Sequence, residues 1–235
     1  MKIKTEKSTY REVMARERNE RKKPVRPNIL FRSLIYILSQ PSMRRTHFSV
    51  RKKGMEKLGK KEPCLVLMNH SSFIDLKIAS TLLYPRPFNI ICEADGFVGK
   101  EWLMRQIGCI PTHKFVSETA LVKDMMYTVR TLKSSILLYP EASYSFDGTS
   151  PTPLPESLGK CIKLLKVPVV MIRTYGAFQR DPLYNLLKLR NVDVSADMEY
   201  LLSPEEIASL TADDINSLVS SRFAFDHFQW QKENG

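Results

Sequence analysis

Between His47 and Leu202 the chain alternates short apolar runs with longer amphipathic runs of helical period, and this alternation constrains the fold more than any other feature. "CLVLMN" (64–69), "FNIICEAD" (88–95), "SILLYPEAS" (135–143) and "VPVVMIRTYGAF" (167–178) read as strands. The first has no polar interruption before Asn69, as a strand buried on both faces requires. "FIDLKIASTLLY", "FVGKEWLMRQIG", "ETALVKDMMYTVRTLKS" and "GKCIKLLK" read as helices, and "CIPTHKF" as a short extended piece. Strands alternating with helices predict an α/β layer fold, a central, mainly parallel sheet flanked by helices. "HFSVRKKGMEKL" reads as a strand, a basic turn at Gly54 and a return. "NVDVSADMEYLLS" reads as extended. Beyond it, Ser203 with Glu206 and Thr211 with Asp214 form two capping boxes, the first with Pro204 at the opening helical position. No linker divides the 235 residues, which suffice for one domain with a substantial core.

The N-terminal region differs in character. Residues 1–23 read as a charged helix or arm, broken by Pro24 and Pro27. Asn28 caps a second helix expected to run to about Ser39, before Pro41. Leu30, Leu34, Ile37 and Leu38 share one face of it, widened by Phe31 and Ile35. Such a stripe between basic segments suits a membrane interface and equally suits packing on the domain. We therefore divide the chain into an arm and docking helix (1–43) and a folded domain (44–235).

Charge sharpens that division. Lys and Arg number 36 against 25 Asp and Glu, a net of +11, and residues 1–28 (+6) and 44–61 (+7) carry more than the whole excess. Nucleic acid, an anionic membrane surface and acidic substrates all fit such a field, as does a solvated basic arm. No helix-turn-helix, zinc-finger or RNA-recognition signature is present, which argues against nucleic acid as the partner. The four cysteines lie in apolar runs without Cys-x-x-Cys spacing, so they read as reduced core residues, with no disulfide frame and no metal site. No apolar run approaches the roughly 18 residues of a spanning helix, and the N-terminus lacks a signal-peptide core. The expected location is cytoplasmic, peripheral on the inner face of the membrane.

The chemistry centres on "NHSSFID" (69–75). Were Asn69 to Ile78 one helix, five positions at about 100° each would leave His70 and Asp75 some 140° apart. If the strand ends at His70 and the helix starts near Ser71 or Ser72, the bend returns the imidazole over the carboxylate. A carboxylate on one ring nitrogen fixes the tautomer and stabilises the imidazolium, leaving the other nitrogen to take a proton. The same residues also spell a capping pattern, Ser72-x-x-Asp75, in which His70 is only a turn residue.

Four blocks taken in order resemble the glycerolipid acyltransferase family, whose best-known member acylates lysophosphatidic acid. "NHSSFID" resembles its Asn-His-x4-Asp block. "GCIPTHKF" (108–115) resembles Gly-x-Ile-x-x-x-Arg, with Lys114 at the arginine. "LLYPEAS" (137–143) resembles Phe-Pro-Glu-Gly-Thr-Arg, and "VPVVMI" the Pro-containing last strand. The resemblance spans roughly Phe48 to Phe178. It implies that His70 is a general base oriented by Asp75, and that it deprotonates an acceptor hydroxyl which attacks the thioester of acyl-CoA or an acyl carrier protein. No other cofactor is implied. Gly108, Lys114, Glu141, Ala142 and Ser143 would line the site of a lysophospholipid acceptor, with His113 structural. The chain departs from the pattern at Ala142-Ser143-Tyr144, where Tyr144 stands in place of arginine. That loss of a guanidinium weakens phosphate recognition unless Arg173 or Lys160 replaces it. Three other readings remain. One is a lipid-binding homologue that has lost catalysis, and one a basic nucleic-acid-binding protein. The last is a serine hydrolase, for which no Gly-x-Ser-x-Gly elbow exists.

Overall fold

Leu65–Met68 is buried at every position, and its side chains alternate between two apolar layers. Leu65 and Leu67 share one layer with Ile136, Ile162 and Phe223, while Val66 and Met68 share the other with Ile78, Val170 and Ile172. A strand covered on both faces belongs at the centre of a parallel sheet, and that is its place. The computed structural model describes residues 22–112, 119–142, 144–145, 149, 154–180, 192–224, 229 and 232–233. In chain order its elements are α1 (Ile29–Arg45), β1 (Ser49–Lys53), β2 (Leu65–Met68), α2 (Asp75–Leu83), β3 (Phe88–Glu93), α3 (Glu101–Gln106), β4 (Cys109–Thr112), α4 (Thr119–Arg130), β5 (Ser135–Leu138), α5 (Ser157–Leu165), β6 (Val169–Tyr175), α6 (Ala177–Arg180), β7 (Ser195–Leu202), α7 (Pro204–Ser209) and α8 (Ala212–Phe223).

Among the described residues, seven strands form one sheet in the order β1-β7-β6-β2-β5-β3-β4. Every pairing is parallel except β6 with β7. The expected α/β fold with a mainly parallel, helix-flanked sheet is present. Helices α4, α5, α7 and α8 cover one face, α1 and α2 the other. Both capping boxes form, each with reciprocal bonds between side chain and backbone.

Two local expectations give way. The return strand after Gly54 is absent, because Met55–Lys57 is a 3-10 turn and β1 pairs in parallel with β7 instead. All five residues of β1 are exposed. Its cations find carboxylates on the neighbouring strand, Arg51 with Asp197 at 2.7 Å and Lys53 with Glu199 at 2.8 Å. The second difference is α1, which continues through Pro41 to Arg45 and so runs past residue 43. Pro41 forfeits only the bond to Ile37, whose residue is exposed to water. The burial of Met43 in the core holds the last turn in place.

Helix α1 lies along α2 in the opposite sense. Arg32 donates to Pro85 O at 2.7 Å, Tyr36 stacks on Tyr84 with ring centroids 4.3 Å apart, and Lys77 donates to Ser42 Oγ at 2.9 Å. The C-terminal end of α1 therefore reaches the end of the sheet where α2 begins. Its apolar stripe points outward: Leu30, Leu34, Ile37 and Leu38 are all exposed, joined by Trp102 and Leu103 of α3. Before α1, residues 22–28 are fastened to the domain. Pro24 and Pro27 are buried, Asn89 donates to Val25 O at 2.8 Å, and Asn28 N–H donates to Gln106 O at 3.1 Å. The rest of the basic arm, residues 1–21, lies outside the described residues. Among the described residues no helix is long and apolar enough to cross a membrane.

Candidate active site

The site sits where β2, β5 and β6 end. Asn69, the first residue beyond β2, is buried and ties two strands together. Its Oδ1 accepts from Thr174 N–H at 2.7 Å, and its Nδ2 donates to Thr174 O at 3.2 Å and to Ser71 Oγ at 3.1 Å. With that anchor the chain turns through Ser71 to Ile74 and enters α2 at Asp75. The bend expected at this seam is present, and α2 begins slightly later than the sequence suggests.

His70 Nδ1 and Asp75 Oδ2 are 3.1 Å apart, with 19% of the imidazole side chain exposed and 1% of the carboxylate. The same Oδ2 accepts from Ser71 N–H at 2.7 Å and Ser72 N–H at 3.0 Å. The Ser72-x-x-Asp75 capping box itself does not form, since Ile74 is at the N-cap of α2 and no side chain caps it. Two backbone donors at a helix start hold the carboxylate, and the held carboxylate aims the ring. Burial pushes the Asp75 carboxyl above its ordinary range, while His70 and the two backbone N–H groups oppose that shift.

Glu141, in the turn after β5, accepts the His70 backbone N–H on Oε2 at 2.7 Å. The next residue, Ala142, has φ of 54°, a left-handed conformation that suits glycine better than alanine. His70 O accepts from Ser145 N–H at 2.8 Å, so this loop grips His70 at both ends of its backbone. Two aromatic rings lie against the imidazole. Tyr139 stacks at 3.9 Å and 19°, Tyr144 at 3.7 Å and 28°. The sequence placed Tyr139 at the edge of the acceptor block and Tyr144 at the arginine position, but gave neither ring a contact with His70, and it did not pick out Asn69, whose signal was its place at the end of a wholly apolar strand.

His70, Asp75, Glu141 and Ala142 are thus brought together. Gly108 is not among them. It precedes β4, and its carbonyl accepts from Ile90 N–H near the start of β3, at the far end of the sheet from His70. Its glycine is explained locally: φ is 91°, and a Cβ there would lie 2.6 Å from Pro27 Cγ. Lys114 and Ser143 lie outside the described residues, as does His113. Arg173 is engaged elsewhere, donating to Arg222 O at 3.1 Å and lying 3.8 Å from Asp197. Lys160 is an exposed residue of α5.

A largely apolar cavity of about 230 Å³ runs along α2, lined there by Leu76, Ser80 and Tyr84 and by neither His70 nor Asp75. Ile90 and Cys92 of β3, Met104 of α3 and Cys109 complete its walls, with α1 contributing Ile35.

The acyltransferase family model matches residues 49–174, more than half of the chain, and takes in β2, β5 and β6 up to Thr174, the strands whose ends build this site. The chain belongs to the acyltransferase family. No curated protein sequence matches this acyltransferase. Among solved structures it is similar to the 1-acyl-sn-glycerophosphate (LPA) acyltransferase PlsC from Thermotoga maritima. The identity is 18% and the TM-score 0.56, with 81% of this chain and 77% of that one covered. At that identity the likeness speaks for a shared fold. Within that fold, the acyltransferase places His70 and Asp75 at the carboxyl ends of parallel strands, where α/β sheets commonly hold their ligands.

Proposed function

We propose that the protein transfers a fatty acyl group from acyl-CoA or an acyl carrier protein to a hydroxyl of a lysophospholipid such as lysophosphatidic acid. One observation carries this reading: His70 Nδ1 is engaged by a buried carboxylate, so Nε2 is the nitrogen left to accept a proton. In the reaction His70 Nε2 removes the acceptor's hydroxyl proton as the oxygen attacks the thioester carbonyl. The new C–O bond forms, the C–S bond breaks, and the imidazolium returns its proton to the departing thiolate. Asp75 keeps the ring in the required tautomer and offsets the imidazolium's charge. A positioned base of this kind is worth roughly two to four powers of ten in rate.

The apolar cavity along α2 supports an acyl chain as the transferred group, since its lining suits hydrocarbon. The outward apolar stripe of α1, with Trp102 and Leu103, supports docking on a membrane surface, and Arg44 and Arg45 at the end of α1 suit anionic lipid. The enzyme would then work at the cytoplasmic face, where its acceptor resides. Glu141 and Ala142 belong to the acceptor side of the site, with Lys114 as the candidate cation for a phosphate. Incubating the purified protein with acyl-CoA or acyl carrier protein donors and a panel of lysolipids, with mass-spectrometric detection of the diacyl product, tests the assignment. Acceptor-dependent product supports it, and hydrolysis of the thioester without transfer to any acceptor contradicts it.

A further inference from the structure

The two tyrosines around His70 carry the next step. Both rings lie nearly parallel to the imidazole, with centroids 3.9 Å and 3.7 Å away. Two rings that close to a third cannot share one of its faces without interpenetrating, so Tyr139 covers one face and Tyr144 the other. Asp75 occupies the Nδ1 edge. Among the described residues, Nε2 makes no hydrogen bond, and 19% of the imidazole side chain is exposed. Phe73, which is exposed, meets Tyr144 edge-on at 6.0 Å and steadies the outer ring.

We propose that Tyr144 is a positioning residue: with Tyr139 it clamps the His70 ring between two aromatic faces, so that acceptor reaches the base only in the ring plane and the imidazolium formed during the reaction is stabilised. This rests on the acyl-transfer reading above. The physical basis is the aromatic quadrupole, whose negative face attracts a cation at this distance. Tyr139 is well suited to remain a neutral platform, because burial and the Asp75 charge push its phenol well up. Among the described residues the charged groups facing His70 are Asp75 on its ring and Glu141 on its backbone, both carboxylates. No cation bonded to the ring on those elements competes with the clamp.

The experiment compares Tyr144→Phe, which keeps the ring, with Tyr144→Leu, which keeps the cover but has no quadrupole. Two readouts are taken: the acid limb of the rate profile, and the NMR titration midpoint of the His70 ring, assigned with His70→Ala. The phenylalanine variant is expected to follow wild type in both. In the leucine variant the acid limb and the ring midpoint fall by about 0.4 to 1.5 pH units, and the plateau rate drops about two- to tenfold. Tyr144→Met substitutes if the leucine variant does not fold. A leucine or methionine variant that superimposes on wild type overturns the proposal. Equal shifts in the phenylalanine and leucine variants also overturn it, assigning the effect to the hydroxyl. The NMR midpoint needs no turnover, so an inactive wild type with the expected NMR shift contradicts the acyl-transfer reading and leaves the clamp standing.

Discussion

The backbone N–H of His70 donates to Glu141 Oε2 at 2.7 Å, so the turn after β5 holds the turn after β2 across the end of the sheet. A hydrogen bond to a charged group contributes roughly 1.5–3 kcal/mol. Glu141→Ala is expected to lower unfolding free energy by about that amount and to depress activity by loosening His70. Glu141→Gln keeps an acceptor and is expected to cost less than about 1 kcal/mol. Urea denaturation of the two variants, read beside their rates, checks both.

Asp75 gives a pH dependence of unusual sign. A paired carboxylate usually titrates lower when folded, but burial raises this one above 3.8, its value in an exposed chain. The folded chain then holds the Asp75 proton more tightly than the unfolded chain does. Its contribution to stability is fully present below that exposed value and is lost as pH rises through the raised one. Asp75→Asn retains an acceptor for Ser71 and Ser72 while removing the buried charge. The variant is expected to be at least as stable as wild type at pH 7 and to lose its acid-side stability gain, while activity falls by orders of magnitude. Thermal melts from pH 3 to pH 8 and rate measurements test this trade.

The exposed face of α1 separates membrane docking from folding. Leu34→Glu combined with Ile37→Glu alters residues that are 49% and 62% exposed and bury little on the domain. Thermal stability is expected to stay within about 0.5 kcal/mol of wild type. Cosedimentation with phosphatidylglycerol vesicles is expected to fall severalfold, and binding by the wild type to weaken with salt. Unchanged vesicle binding by the variant counts against this face as the docking surface.

Gly159 marks the crossing of α5 and α8. A Cβ there would collide with the Ala212 carbonyl, which belongs to backbone and has no rotamer to yield. Gly159→Ala gains helix propensity yet is expected to destabilise the fold by about 1–3 kcal/mol through forced separation of the helices. Denaturant midpoints measure it, and a more stable variant would refute the close packing.

Much of this architecture is legible along the chain. Strand–helix alternation and burial of "CLVLMN" are local patterns, and local patterns specify layers. What could not be read depends on pairing at a distance. Strand β1 looks like half a hairpin because its true partner lies 146 residues away, where Asp197 and Glu199 neutralise Arg51 and Lys53. The spacing of His70 and Asp75 showed that the two side chains could meet, since a five-residue bend needs nothing remote. The stacking of Tyr139 and Tyr144 on His70 was hidden, because both approach from a different strand end. Gly108 was assigned to the acceptor site from its place in a block resembling the family's. The structure gives it a conformational reason instead, a positive φ beside Pro27.

In the proposed reaction the His70 imidazole, held by Asp75, is the base for acyl transfer. The most direct test of this role is the initial rate of thiol release from an acyl thioester in the presence of lysolipid, for wild type and for a folded His70→Ala variant. Release is expected to depend on the acceptor and to fall by about two to four powers of ten in the variant. Equal rates in the two proteins would contradict that role.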